Sequence, residues 1–144
     1  MKRDGRGSAV VEFLWLTVLF LMPLTYVVVT VLTAQRAAFA GSSAARGAAR
    51  AYLGAPDDAS GRSRAEVAAR LAFADQGIGA PVTVAIDCSP DPVVCRAPGE
   101  LIRVRVRARV ALPLVPALFG GTPPAITISV ATTEPFGSHR EADR

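Results

Sequence analysis

Residues 7–13 read Gly-Ser-Ala-Val-Val-Glu-Phe and lead directly into a long apolar segment. One acidic residue, Glu12, stands immediately before residues 13–34, a run of 22 residues without a charged side chain. About 20 apolar residues are enough to cross a bilayer as an α-helix. Pro23 lies within the run, and a helix in lipid tolerates proline as a kink. The stretch therefore predicts a transmembrane helix over residues 8–34.

A cleaved signal peptide is the alternative to a retained anchor. Ala38, Phe39 and Ala40 fit the small-x-small pattern of a signal-peptidase site, so a secreted protein cut after Ala40 remains open. The core of a signal peptide usually has about 7–15 apolar residues, which is shorter than the run here. An acidic residue at the position of Glu12 is also unusual in a signal peptide. We therefore expect the helix to be retained as a single membrane anchor.

The charges that flank the span are nearly balanced and do not fix its orientation. Residues 1–7, the predicted cytoplasmic leader, carry three basic residues, and three arginines follow the span. Cys88 and Cys95 decide the prediction, because a cysteine pair in a small domain is typical of an oxidising compartment. We expect a cytoplasmic N-terminus and a C-terminal domain outside the cell membrane. The basic residues concerned are Lys2, Arg3, Arg6, Arg36, Arg46 and Arg50.

The composition limits the class of protein. A chain of 144 residues has room for the anchor and one small domain. Its 16 basic and 12 acidic side chains give a formal charge of +4, and every basic residue except Lys2 is an arginine. These arginines are spread along the chain, and no aromatic residues interleave with the four arginines within residues 103–109 for base stacking. We do not expect nucleic acid or a small-molecule substrate among the partners.

Beyond the span, residues 35–53 are rich in alanine and predict a continuation of the same helix as far as Gly54. Gly41, Ala45 and Ala49 are spaced four residues apart, and such a row of small residues would let another helix approach closely. Alternatively, these alanines reflect only the composition of the genome.

The next segment predicts a second helix. Residues 55–62 have the composition of a turn-rich connector. Ser63 and Glu66 then have the spacing of a capping box, which predicts a helix over residues 64–76. Its apolar face would consist of Val67, Leu71 and Ala74.

Three segments alternate between apolar and polar residues with a period of two: residues 82–87, 101–111 and 126–131. This alternation predicts an antiparallel sheet with one apolar face, which the helices can cover. The predicted fold class is α+β. A long N-terminal transmembrane helix continues into a small domain, residues 35–136, in which a second helix packs on a three-stranded antiparallel sheet. We expect residues 137–144 to form a flexible tail.

The middle segment places four arginines on one face of a strand, about 6–7 Å apart. The interpretation that we favour is the solvated face of an amphipathic strand. As a basic interaction face, the row could instead bind an acidic partner subunit, lipid headgroups or a nucleic-acid backbone. The four residues are Arg103, Arg105, Arg107 and Arg109.

Little in the sequence suggests chemistry. The spacing of Cys88 and Cys95 favours a structural disulfide that closes an eight-residue loop, with a pair of free thiols as the alternative. His139 is the one histidine, and together with two cysteines it is too few for a zinc site. The sequence has no credible nucleophile–base pair and no glycine-rich phosphate loop. We therefore predict a protein that is not an enzyme and holds no metal or cofactor.

Residues 7–13 also resemble the class III signal of type IV pilins and pseudopilins, which a prepilin peptidase cuts after the glycine. Carried over, the cut falls between Gly7 and Ser8, and Glu12 and Phe13 become the fifth and sixth residues of the mature chain. With the apolar helix and the small outer domain, the chain resembles the TadE-like proteins of the tight-adherence (Tad/Flp) pilus system. The resemblance implies a pseudopilin or minor pilin, with other pilin subunits and a prepilin peptidase as partners.

The resemblance also implies roles in subunit assembly for Glu12 and Phe13, with Glu12 meeting the amino terminus of an adjacent subunit. A carboxylate in the first helical turn is favoured by the helix dipole, yet close to hydrocarbon it needs a partner. Alternatively, Glu12 lies at the interface and reaches the headgroups. A membrane-tethered module that binds an acidic ligand through the arginine row, without any pilus, is the alternative to the assembly role.

Overall fold

The computed structural model describes residues 6–92, 95–112 and 124–137, with side chains from residue 9 onward. Most of the predicted leader, all of the predicted tail except Gly137, and His139 lie outside these residues. Two helices and three strands make an α+β domain with a long apolar N-terminal helix, which confirms the predicted fold class. In chain order they are α1 (Arg6–Leu53), α2 (Asp58–Ala74), β1 (Val82–Ser89), β2 (Leu101–Ala111) and β3 (Ala125–Pro135).

Helix α1 has 48 residues and runs without interruption through Pro23. At about 1.5 Å per residue it measures roughly 72 Å. The predicted continuation of the span into the domain is therefore confirmed. The surroundings of α1 change gradually on one face. Large apolar side chains before Tyr26 are exposed, Val29 and Ala34 are half-buried, and Ala37 and Ala40 are completely buried. No linker separates the apolar segment from the domain.

Helix α2 begins six residues earlier than predicted. Residues 58–62, which were predicted to belong to the connector, are therefore helical. The side chain of Asp57 accepts a hydrogen bond from the backbone N–H of Ser60 at 2.8 Å, so Asp57 is the N-cap. Ser63 lies inside the helix, and the predicted capping box with Glu66 is wrong. Aspartate caps a helix at least as well as serine, and the chain uses the earlier of its two capping signals.

The buried face of α2 also differs from the prediction. Val67 and Leu71 are 48% and 57% exposed, and Ala74 is exposed as well. A Cβ added at Gly61 would lie 2.9 Å from the ring of Tyr52 on α1, so the two helices approach too closely for a large residue there. Small residues and one aromatic therefore form the contact face: Gly61, Ala65, Ala69 and Phe73.

The three strands form the predicted antiparallel sheet in the order β1-β2-β3. Val84, Val106 and Val130 are register partners across it. The inner face of the central strand β2 is completely or almost completely buried, which confirms the predicted alternation. Its buried residues are Ile102, Val104, Val106, Ala108 and Val110.

The row of small residues on α1, Gly41, Ala45 and Ala49, packs inside the domain. Ala45 and Ala49 are 1% exposed within the core. A Cβ added at Gly41 would lie 2.9 Å from a methyl of Ile128 and 3.0 Å from a methyl of Val130, both on β3. The closest neighbour of Gly41 is therefore the sheet, with Phe73 of helix α2 next at 3.9 Å from the added Cβ.

This contact can be tested by placing the same substitution at two glycines of one helix. Gly41→Ala should destabilise the domain by about 1–3 kcal/mol through overpacking, partly offset by the higher helix propensity of alanine. Gly47 has nothing within 4 Å of an added Cβ, so Gly47→Ala should stabilise the domain by about 0.5–1 kcal/mol. Thermal unfolding of the full-length chain in detergent, followed by circular dichroism, measures both. Shifts of the same sign would contradict the close approach of the sheet.

Candidate functional site

Most side chains in the apolar half of α1 are exposed, and the exposed ones surround the helix. Within the part of the chain that the structure describes, α1 is the one helix long and apolar enough to cross a membrane, although a signal sequence meets the same criterion. Between Val10 and Leu32 most of the large apolar side chains are 47–75% exposed, whereas Tyr26 and Val29 are half-buried. The hydroxyls of four threonines donate to backbone carbonyls one turn earlier, each at 2.8 Å, so they expose no unpaired donor: Thr17, Thr25, Thr30 and Thr33.

Glu12 and Phe13 lie at the start of this apolar surface. Both side chains are exposed, Phe13 by 72%. No described side chain forms an ion pair or hydrogen bond with Glu12. Gly7 and Ser8 lie at the start of the described part of α1. The placement of the Glu12 carboxylate in the first turn stays a prediction. After a cut at Gly7, Glu12 would be the fifth residue.

The direction of the strands follows from contacts at the two ends of the domain. A guanidinium–ring contact joins Arg96 to Tyr52, near the end of α1, and to Phe136, just after β3; the distances to the ring centroids are 5.8 and 5.2 Å. At the other end, Arg109 of β2 lines the same cavity as Arg36 of α1. Strand β2 therefore runs antiparallel to α1, back toward the apolar segment.

Cys88 and Cys95 form a disulfide, as predicted, with a Cα–Cα distance of 5.1 Å. Both residues are buried, at 9% and 7% exposure. Arg96 follows directly and donates hydrogen bonds to the backbone carbonyls of Tyr52 and Ala55. The disulfide and Arg96 together fix the β1–β2 connection against the far end of α1. Arg96 could not be recognised as a structural residue from the sequence, because its hydrogen-bond partners lie more than 40 residues away.

The four arginines of β2 lie together on the outer face of the sheet, as predicted. Their register partners on the neighbouring strands are mostly small: Thr83 and Ala85 on β1, and Ala131 and Ser129 on β3. Asp87 provides a carboxylate on this face, 3.9 Å from the guanidinium of Arg105. Three of the arginines are exposed, and the side chain of Arg105 is 33% exposed. This arginine face is open, flat and positively charged, which suits an anionic partner.

A second polar cluster joins α1 to the start of α2. The hydroxyl of Tyr52 donates to Asp58, and Arg62 Nε donates to the other carboxylate oxygen at 2.8 Å. Burial, together with the neighbouring Asp58, raises the pKa of Tyr52 to about 12. The hydrogen bonds from Tyr52 and Arg62 hold the pKa of Asp58 below its ordinary value. The cluster is far from the apolar segment and has a structural role.

No protein-family model, curated protein or solved structure matches this chain. Within the described ranges, no group of three or more His, Cys, Asp and Glu side chains could hold a metal ion. Among the residues predicted for a functional site, the two cysteines are bonded to each other, and the four arginines lie side by side on β2. It places Glu12 and Phe13 at the opposite end of the apolar segment from the domain.

The polar cluster predicts an acid-sensitive fold. Because the pKa of Asp58 is depressed in the folded state, its stabilising contribution is present above an unfolded pKa of about 3.9 and is lost as the pH falls through the folded pKa. Asp58→Asn should lower stability at pH 7 by about 0.5–1.5 kcal/mol, since the pair is half-exposed. It should also make the decline below about pH 4 shallower.

Melting temperatures measured from pH 7 to pH 2 on the full-length chain test this expectation. Asp75→Asn is the matched control, because it removes the same charge from an exposed residue at the other end of α2. Equal acid sensitivity of Asp58→Asn and the wild type would contradict a stabilising role for the Asp58 carboxylate.

Proposed function

We propose that this protein is a TadE-like pseudopilin or minor pilin that takes part in the assembly of a Tad/Flp-type pilus. The role is structural and non-catalytic. The observation that carries the proposal is the unbroken helix α1, with Glu12 at the start of an apolar surface and the domain attached without a linker. The partners are the membrane, other pilin or pseudopilin subunits, and a prepilin peptidase that cuts between Gly7 and Ser8.

The exposed apolar surface of α1 supports an assembly role. Residues 13–34 measure about 33 Å along the axis, which matches a hydrocarbon core of about 30 Å. A surface that is apolar on all sides needs lipid around it, or the same helix of neighbouring subunits in a fibre. Both environments accept the same side chains, so the helix could pass from one to the other without refolding.

Glu12 fits this transfer because it is a carboxylate without a described partner. A cut after Gly7 would create an ammonium group on Ser8, and the Ser8 ammonium of an adjacent subunit would compensate Glu12 at the edge of the hydrocarbon. The cut would also remove Lys2, Arg3, Asp4 and Arg6, leaving 13 basic and 11 acidic side chains and lowering the formal charge from +4 to +2.

The domain core argues against secretion after a cut at Ala40. Such a cut would remove Ala37 and Ala40, both completely buried, and would sever α1 beside Gly41, where an added Cβ would lie 2.9 Å from Ile128 of β3. A retained anchor keeps this helix whole. The orientation with a cytoplasmic N-terminus and the domain outside the membrane is part of the proposal, and the disulfide supports it.

A membrane-tethered binding module is the second candidate, and the open arginine face favours it. Its occupant would be an acidic ligand, and no pilus would be involved. The first residue of the membrane-extracted protein separates the candidates. We expect Ser8 at the N-terminus of the mature chain. Met1 would support the tethered module and Gly41 the secreted protein, and either result would contradict processing by a prepilin peptidase.

The assembly role is tested by Glu12→Ala in a host that makes the pilus. The variant should still enter the membrane, because the apolar segment is unchanged. Its amount in the sheared pilus fraction should fall on the order of a hundredfold, since the Ser8 ammonium of a neighbour would lose its counter-charge near hydrocarbon. Glu66→Ala is the control, because Glu66 forms only an exposed pair with Arg70 at 3.7 Å. Normal pilus assembly with Glu12→Ala would remove the role given to Glu12.

A further inference from the structure

A cavity of about 490 Å³ lies at the end of the domain nearest the apolar segment. Three elements form it: α1 with Thr33 and Arg36, the α2–β1 connection over residues 76–81, and the last part of β2 from Arg109. Strand β1 begins at Val82, opposite Ala108, so the last three residues of β2 have no β1 partner. The cavity opens beside this end of β2, on the edge that β1 leaves unpaired; the other edge is paired with β3.

The cavity lies at the height of lipid headgroups when α1 spans a membrane. Arg36 lies two positions after Ala34, the last residue of the apolar run, which is about 3 Å further along the helix. The headgroup layer on each side of a bilayer is roughly 5–8 Å thick. Phe39 lies one turn further, on the same side as Arg36, and is 71% exposed. Aromatic side chains are enriched at this level of a membrane.

The charge of the cavity is positive and uncompensated. Arg36 and Arg109 are both exposed, and neither forms an ion pair within the described part of the chain. No described acidic residue lines the cavity. Asp75 precedes Gln76, the first residue of the α2–β1 connection in the lining, but Asp75 itself does not line the cavity. Guanidinium groups bind phosphate oxygens through paired, charge-assisted hydrogen bonds. A phosphate group at the membrane surface complements this arrangement.

We propose that the cavity binds the headgroup of an anionic phospholipid, with the lipid phosphate held by Arg36 and Arg109. The lipid belongs to the leaflet on the side of the domain, and its acyl chains lie along the apolar surface of α1. A headgroup without an ammonium group, such as phosphatidylglycerol, leaves the phosphate charge uncompensated and is therefore preferred. The proposal rests on α1 spanning the membrane, as the proposed function also requires, but it does not depend on pilus assembly.

Lipid retention by the purified full-length chain in detergent tests the proposal, measured by native mass spectrometry with added phosphatidylglycerol or phosphatidylcholine. The wild type should retain phosphatidylglycerol preferentially. The double variant R36Q/R109Q should lose about fivefold in retention for each arginine removed. The matched control R103Q/R107Q removes the same amount of charge from the sheet face that carries Arg109, further from the membrane, and should retain the lipid. Unchanged melting temperatures establish that both variants are folded.

Equal loss of retention in the two double variants would overturn the proposal, because it would indicate a general effect of positive charge. Equal retention of the two lipids by the wild type would do so as well. Binding of inorganic phosphate as tight as that of the lipid would replace a lipid site by a phosphate site. Glu12→Ala should leave lipid retention unchanged, so failure of this site and failure of the assembly role are separately visible.

Discussion

One continuous helix has to satisfy two environments, and the rest of the structure depends on how it does so. Up to Thr25, α1 presents large apolar side chains on every side. From Tyr26 one face becomes half-buried, and from Ala37 that face presents mainly alanine and glycine to α2 and to the sheet, with the alanines completely or almost completely buried. Because no flexible residues intervene, the helix fixes both the height of the domain above the apolar segment and the direction of its strands.

Small residues on α1 allow close packing, but they bury little apolar surface of their own. The large buried side chains are few, and they come from all three layers: Tyr52, Phe73, Ile102, Val104 and Val106. The end of the domain furthest from the apolar segment is held by additional means, the disulfide and the contacts of Arg96 with the end of α1. The opposite end has no comparable clamp in the described part of the chain, and the cavity is found there.

Features with a regular period or a fixed length could be predicted from the sequence. The apolar run predicts α1, and the period of two predicts the three strands and the inner face of β2. The cysteine spacing predicts the disulfide. The start of α2 was missed because Asp57 and Ser63 are both good caps, and local sequence does not rank them. Its buried face was missed because a close helix contact favours Gly61 over Val67, which reverses the usual preference for burying the larger residue. Arg96 depends on partners that are distant in sequence. The roles of Gly7, Ser8, Glu12 and Phe13 stay predictions.

The direction of β2 gives the arginine row two different surroundings. Three steps of about 6–7 Å separate Arg109 from Arg103, so the row extends roughly 20 Å along the strand. Charges in solution are largely screened beyond about 8–10 Å, so Arg103, at the far end of the row, interacts only weakly with the headgroups. Among the described residues, Asp87 is the one carboxylate on this face; it lies beside Arg105 and compensates the far half of the row. A solvated strand face and a lipid contact are therefore compatible, because they apply to opposite ends of the same strand.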